Sequence, residues 1–196
     1  MNALILLACT TSEPEPAPPV EFPLPISLSR DPLPEGAIDV AISAAGVFVD
    51  HVESTDLKVI KGLPIALRVE ATVPYETLFT VVEHLGDREI SLVVAGSSGP
   101  AAIPLTAPDV MSQELDLTVL MSPEAFIGRT PEGTEAFPGH DHAGLRTWLT
   151  GLKADNRDSQ RATLVPHGEA STEDLVTLAD TVRAAGFDHI VLARAL

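Results

Sequence analysis

Cysteine is nearly absent. Cys9 stands alone among 196 residues, which excludes an internal disulfide framework and any cysteine-built zinc site. Aromatic residues are scarce at 4% while 45% of the chain is hydrophobic, so the core is expected to be made of Ala, Val, Leu and Ile. Positive charge is also scarce. The 12 Lys and Arg against 28 Asp and Glu give a formal charge of −16, which repels phosphate backbones and anionic lipid surfaces and excludes nucleic acid as a partner. No apolar run approaches the ~20 residues that a membrane-spanning helix requires.

What is present begins with the run Ala-Leu-Ile-Leu-Leu-Ala over residues 3–8, ending directly at Cys9. It resembles the apolar region and lipobox of bacterial lipoproteins, with Leu6, Leu7 and Ala8 ahead of a cysteine that would be lipidated. Residues 1–9 are therefore expected to be a lipoprotein-like signal remnant. The apolar run is shorter than a secretory signal normally has. Residues 10–35 carry prolines at 14, 16, 18, 19, 23, 25, 32 and 34, which remove backbone donors and favour an extended tether.

From Ile38 the pattern changes. Ile38, Val40 and Ile42 alternate with Asp39, Ala41 and Ser43, which predicts a strand, and Val47-Phe48-Val49 its hairpin partner. Ile65, Leu67 and Val69 predict another strand. Pro74, Glu76 and the spacing of Leu78, Phe79, Val81, Val82 and Leu85 up to Gly86 predict a helix over 74–86. The apolar run 89–95 then predicts a buried strand. Residues 96–112, rich in Gly, Ser and Pro, are expected to be a linker.

The same order then returns. Leu115 to Val119 echoes Ile38 to Ile42, and Ala125-Phe126-Ile127 supplies a second hairpin strand. A helix bearing Leu145, Trp148, Leu149 and Leu152 replaces a slighter counterpart around 57–60, and Trp148 falls on its apolar face. Arg161 to Val165 is the next strand. Ser171 and Asp174 suggest a capped helix carrying Leu175, Leu178, Val182 and Ala185, and Ile190-Val191-Leu192 a last strand.

The predicted fold class is α/β (α+β): two tandem β-β-α-β-α-β units, 36–95 and 113–196, each a small mixed sheet with two helices on one face. The phrases Ile38 to Asp50, Leu67 to Val94 and Leu164 to Leu192, with Val73-Pro74-Tyr75 at one helix entry and Ala184-Ala185-Gly186-Phe187 at one helix exit, resemble the periplasmic domain of the ExbD/TolR family of biopolymer-transport proteins. Thr72 and His167 stand where that family often carries an acidic residue, and Ala45 replaces an acidic turn residue. The resemblance implies a periplasmic domain that meets a cell-envelope protein or a cell-wall polymer. The family's proton-driven function needs a carboxylate within a membrane helix, and the sequence shows no such helix.

The densest polar cluster is Gly139-His140-Asp141-His142. Two histidines and a carboxylate could ligate a divalent metal, with His167 nearby; alternatively Asp141 caps the following helix. Neither Ser97 nor Ser98 is framed by a strand-turn-helix elbow that would make a nucleophile. His84, Asp180 and Arg183 fall on outward helix faces and are expected to be solvated. The sequence therefore points to a non-catalytic, periplasmic interaction module without cofactor, anchored to a membrane at Cys9, the outer membrane before the inner, its two copies forming a pseudo-dimer. The alternative is a metal-dependent enzyme or metal-binding protein using His140, Asp141 and His142.

Overall fold

A computed structural model describes residues 21–54, 56, 57, 60, 64–105 and 116–194. Cys9 and the rest of the lipobox lie outside the described residues. The first half contains strands β1 (Ile38–Ser43), β2 (Gly46–Val49), β3 (Val52–Glu53) and β4 (Ile65–Val69), helix α1 (Tyr75–Leu85), and strands β5 (Ile90–Gly96) and β6 (Gly99–Leu105). The second contains β7 (Thr118–Met121), β8 (Ala125–Thr130), β9 (Gly133–Pro138), helix α2 (His142–Asp155), β10 (Arg161–Pro166), α3 (Thr172–Ala184) and β11 (His189–Leu192).

The mixed α+β class holds, but the two small sheets expected from the sequence are joined. All eleven strands form one sheet in the order β3-β2-β1-β4-β5-β6-β11-β10-β7-β8-β9. The pairing scheme reads alike from either edge. β1 is antiparallel to β2 and parallel to β4, which is parallel to β5; β7 is antiparallel to β8 and parallel to β10, which is parallel to β11. β6 lies between, antiparallel to β5 and parallel to β11, and its Leu105 is aligned with both Ile90 and Ile190.

β6 occupies the segment whose Gly and Pro content suggests a linker, so residues 99–105 are the seam of the sheet instead. Two prolines survive there for a geometric reason. The amide of Ala102 points away from β5, donating to the carbonyl of Asp31 at 2.9 Å. Residues two apart along a strand point their N–H groups to the same edge, so Pro100 and Pro104 lack donors only on the side away from β5.

The registers place Ile65, Leu67 and Val69, Ile90, Leu92 and Val94, Ala101 and Ile103, Ile190 and Leu192, Ala162 and Leu164, and Val119 and Met121 on one face of the sheet. These side chains share one buried cluster with Leu78 and Leu85 of α1, Leu145 and Leu149 of α2 and Leu175, Leu178 and Val182 of α3. α1 packs on α3 and α3 on α2, so the helices stand side by side on that face. Among the described residues the first half has α1 alone where two helices were expected. Trp148 is half-buried, tilted against Phe137 with centroids 5.7 Å apart, and a methyl group at Gly128 would run into its indole ring.

The halves also meet at their helix entries. Tyr75 donates its amide to Ala170 at 2.7 Å while Thr172 donates its own to Val73 at 2.9 Å, a reciprocal pair about Pro74 and Ser171. The Thr172 hydroxyl also donates to the Val73 carbonyl, and the buried Tyr75 hydroxyl to that of Ala193, at 2.9 and 2.6 Å. Burial raises the Tyr75 pKa well above the ordinary phenol range, so Tyr75 remains a donor at neutral pH.

The described part of the expected tether, residues 21–35, is a docked strap. Ala95 donates to Pro25 at 2.8 Å and Ser27 to Ala95 at 3.1 Å on one edge of the β5–β6 hairpin. The strap then crosses the hairpin tip at Gly96, where a Cβ would lie 3.0 Å from the Ser29 carbonyl, and reaches Ala102 on the other edge. α3 fastens it: Asp180 accepts from the Ser27 hydroxyl at 2.8 Å and the Leu28 amide at 2.7 Å, Glu173 accepts from the Ile26 amide at 3.0 Å, and Arg183 binds the Ser29 hydroxyl and the Asp31 carboxylate. Asp180 and Arg183 are thus anchors rather than a solvated face. Arg183→Ala is expected to cost about 1–2 kcal/mol and to accelerate exchange of the Ala102 amide more than that of Leu67 in β4. Equal acceleration at both positions would mean that Arg183 does not hold the strap.

Candidate functional site

The sequence singles out the start of α2. Gly139 and His140 take positive φ values of 65° and 55°, turning the chain from β9 into the helix. Asp141 is the N-cap, one carboxylate oxygen accepting from the amides of Ala143 and Gly144 at 3.1 and 3.0 Å, the local role its position suggests.

The two histidines look in different directions. His140 Nε2 lies 2.7 Å from the Ser122 carbonyl, which only accepts, so this nitrogen carries the proton. His142 Nδ1 lies 2.8 Å from Thr181 Oγ1. That hydroxyl donates to the Thr177 carbonyl at 2.9 Å, leaving its oxygen to accept from the imidazole. Both rings flank Phe126, with centroids 4.8 and 4.7 Å from its own. His167 lies elsewhere, beside a cavity of about 270 Å³ with Leu120, Ile127 and Val165. Among the described residues no three His, Cys, Asp or Glu side chains gather as a metal-ligand set.

His142 belongs to a second feature. A groove of about 520 Å³ runs between the strap, α2 and α3, bordered by Ile26, Leu28, His142, Arg146, Glu173 and Asp180. The strap shows the reverse of the usual alternation. Ser27 and Ser29 are 4% and 7% exposed, whereas Ile26 and Leu28 are 70% and 80% exposed. The serines turn inward because their hydroxyls meet Asp180 and the Ala102 carbonyl, and period-two geometry then sends both apolar side chains outward. Sequence reading missed Ile26 and Leu28. The alternation Ile-Ser-Leu-Ser was its available signal, hidden among prolines.

Compared with protein-family models, curated proteins and solved structures, the chain matches none.

Burial lowers the His142 pKa from 6.5, helped by His140 and opposed by Asp141 and Asp174. The folded state therefore favours the neutral ring. Its contribution to stability is full above pH 6.5, declines as the pH falls below that value, and is lost below the folded pKa. Melting curves at about pH 7.5 and pH 5 should show a smaller loss of Tm on acidification in His142→Gln than in the wild type. An equal loss in both would remove His142 as a source of acid sensitivity.

Proposed function

We propose that the protein is a non-catalytic interaction module of the bacterial periplasm, resembling the periplasmic domain of ExbD/TolR proteins, duplicated within one chain and anchored to a membrane through a lipid on Cys9. Its units are 36–95 and 113–196, set together as a pseudo-dimer, and its partner is a cell-envelope protein or cell-wall polymer. The outward-facing pair Ile26 and Leu28 carries the reading: two large apolar side chains held in water beside a groove, on a strap whose polar side chains face inward. Exposed apolar surface of this kind marks a contact site.

The matched strand pairings on either side of β6 support duplication, and the reciprocal bonds at Pro74 and Ser171 support the pseudo-dimer. Strand addition at the sheet edges has less support, because β3 is two residues long and β9 carries Glu135 and ends at Pro138. The alternative, a metal-dependent enzyme or metal-binding protein at His140, Asp141 and His142, has less support, because the Asp141 carboxylate and one nitrogen of each imidazole already serve separate local bonds.

Cross-linking of intact cells grown with labelled palmitate tests anchor and contact site together. The wild type should carry the label and form a cross-linked envelope species; Cys9→Ala should lose the label. The Ile26→Ser, Leu28→Ser double variant should keep label and Tm but lose the cross-linked species. An unlabelled wild type would end the anchoring claim, and a double variant that cross-links normally would end the assigned contact site.

A further inference from the structure

The chain enters α1 and α3 by the same turn. Glu70 donates its amide to Ile42 at 2.9 Å and Val73 donates to Glu70 at 3.0 Å; His167 donates to Met121 at 2.8 Å and Ala170 to His167 at 2.9 Å. The carbonyl of Ala71 accepts from Glu173 at 3.0 Å, that of Gly168 from Glu76 at 3.1 Å. Glu70 therefore matches His167, and Ala71 matches Gly168. The strand registers carry the match across the sheet face opposite the helices, where Ala41 lies between Phe48 and Arg68 as Leu120 lies between Ile127 and Val165.

In the first half the chain itself fills this place. Phe22, at the start of the strap, lies against Arg68 with its ring centre 5.6 Å from the guanidinium carbon, and the carbonyl of the next residue, Pro23, accepts from the Ala71 amide at 2.9 Å. Ala41 is only 1% exposed. The matching place in the second half is open. It is the cavity of about 270 Å³ bordered by Leu120, Pro123, Ile127, Val165, Pro166 and His167, and among the described residues the Gly168 amide has no hydrogen-bond partner. The rim is free as well. Ala44 gives its amide to the Glu70 carboxylate at 3.0 Å, whereas Pro123, two residues beyond Met121 as Ala44 is beyond Ile42, has none to give. The His167 ring is thus left without a partner among the described residues.

We infer that this cavity receives an aromatic side chain from an extended segment of a partner protein, the carbonyl of the following residue accepting from the Gly168 amide as Pro23 accepts from Ala71. The size of the space favours one side chain: about 270 Å³ falls below the roughly 300–1,000 Å³ of clefts that hold whole small molecules. Val165 in place of Arg68 makes the wall aliphatic, so burial holds the ring where a cation–π contact holds Phe22. A proline after the aromatic residue keeps the segment extended and still offers its carbonyl. This inference rests on the reading as an interaction module and adds a contact site that shares no residue with the groove beside Ile26 and Leu28.

A fluorescein-labelled peptide with the sequence of residues 19–25, Pro-Val-Glu-Phe-Pro-Leu-Pro, is the probe, titrated with the full chain and followed by fluorescence anisotropy. Saturable binding is expected, with slowed hydrogen exchange at the Gly168 amide. Alanine in place of the peptide's phenylalanine should weaken it about tenfold or more. Ile127→Trp, which fills the cavity, should do the same with the circular dichroism of the protein unchanged. No saturable binding would overturn the inference. So would binding that Ile127→Trp leaves intact, since the peptide would then be exchanging with Phe22 and Pro23 on the first half. Peptide binding without the envelope cross-link keeps the cavity site and removes the envelope role; the reverse removes the cavity site alone.

Discussion

The fold depends on a strand, β6, that lacks two of its donors along one edge. β6 joins two half-sheets that run in opposite senses, and it can do so only because Pro100 and Pro104 direct their missing N–H groups away from β5. The same arrangement leaves Ala102 with a donor and an acceptor on that edge where β11 does not reach. An unpaired buried amide costs as much as a lost hydrogen bond, and the strap supplies both partners through the Asp31 carbonyl and the Ser29 hydroxyl. Sheet continuity and strap docking are thus one constraint.

The rest of the molecule follows from that seam. Because the half-sheets share β6, their apolar faces merge into one core built mainly from aliphatic side chains, and α1, α2 and α3 cover it from one side. The helix entries then come close enough to bond reciprocally at Pro74 and Ser171. The outer strands blunt the sheet edges in different ways: β3 is two residues long and carries Glu53, while β9 carries Glu135 and ends at Pro138.

Local signals made much of this legible in the sequence. Alternation around Val40 and Leu67, the Asp141 and Ser171 caps and Gly86 after α1 act within a few residues, and each stands in the structure as its chemistry requires. β6 and β9 were not legible, because prolines in one and glycine, glutamate and proline in the other hide strands whose pairing is decided by distant neighbours. The strap failed for the same reason. Ser27 turns inward only because Asp180 waits on a helix far along the chain, and Asp180 itself looks like any solvated helix residue until the strap is in place. The candidate cluster at His140 to His142 was half legible: the cap was visible, but the divergence of the two rings depends on Ser122 and Thr181.

Whether the halves are one cooperative body is the point on which this account stands, and Trp148 reports on it directly because it lies in the second half. Leu67→Ala in β4, a fully buried site in the first half, should cost about 2–5 kcal/mol. With one shared sheet, the urea transition seen by Trp148 fluorescence moves to lower denaturant together with the one seen by far-ultraviolet circular dichroism. A Trp148 midpoint that stays in place while the circular dichroism transition splits would show two independently folding halves and contradict the shared sheet.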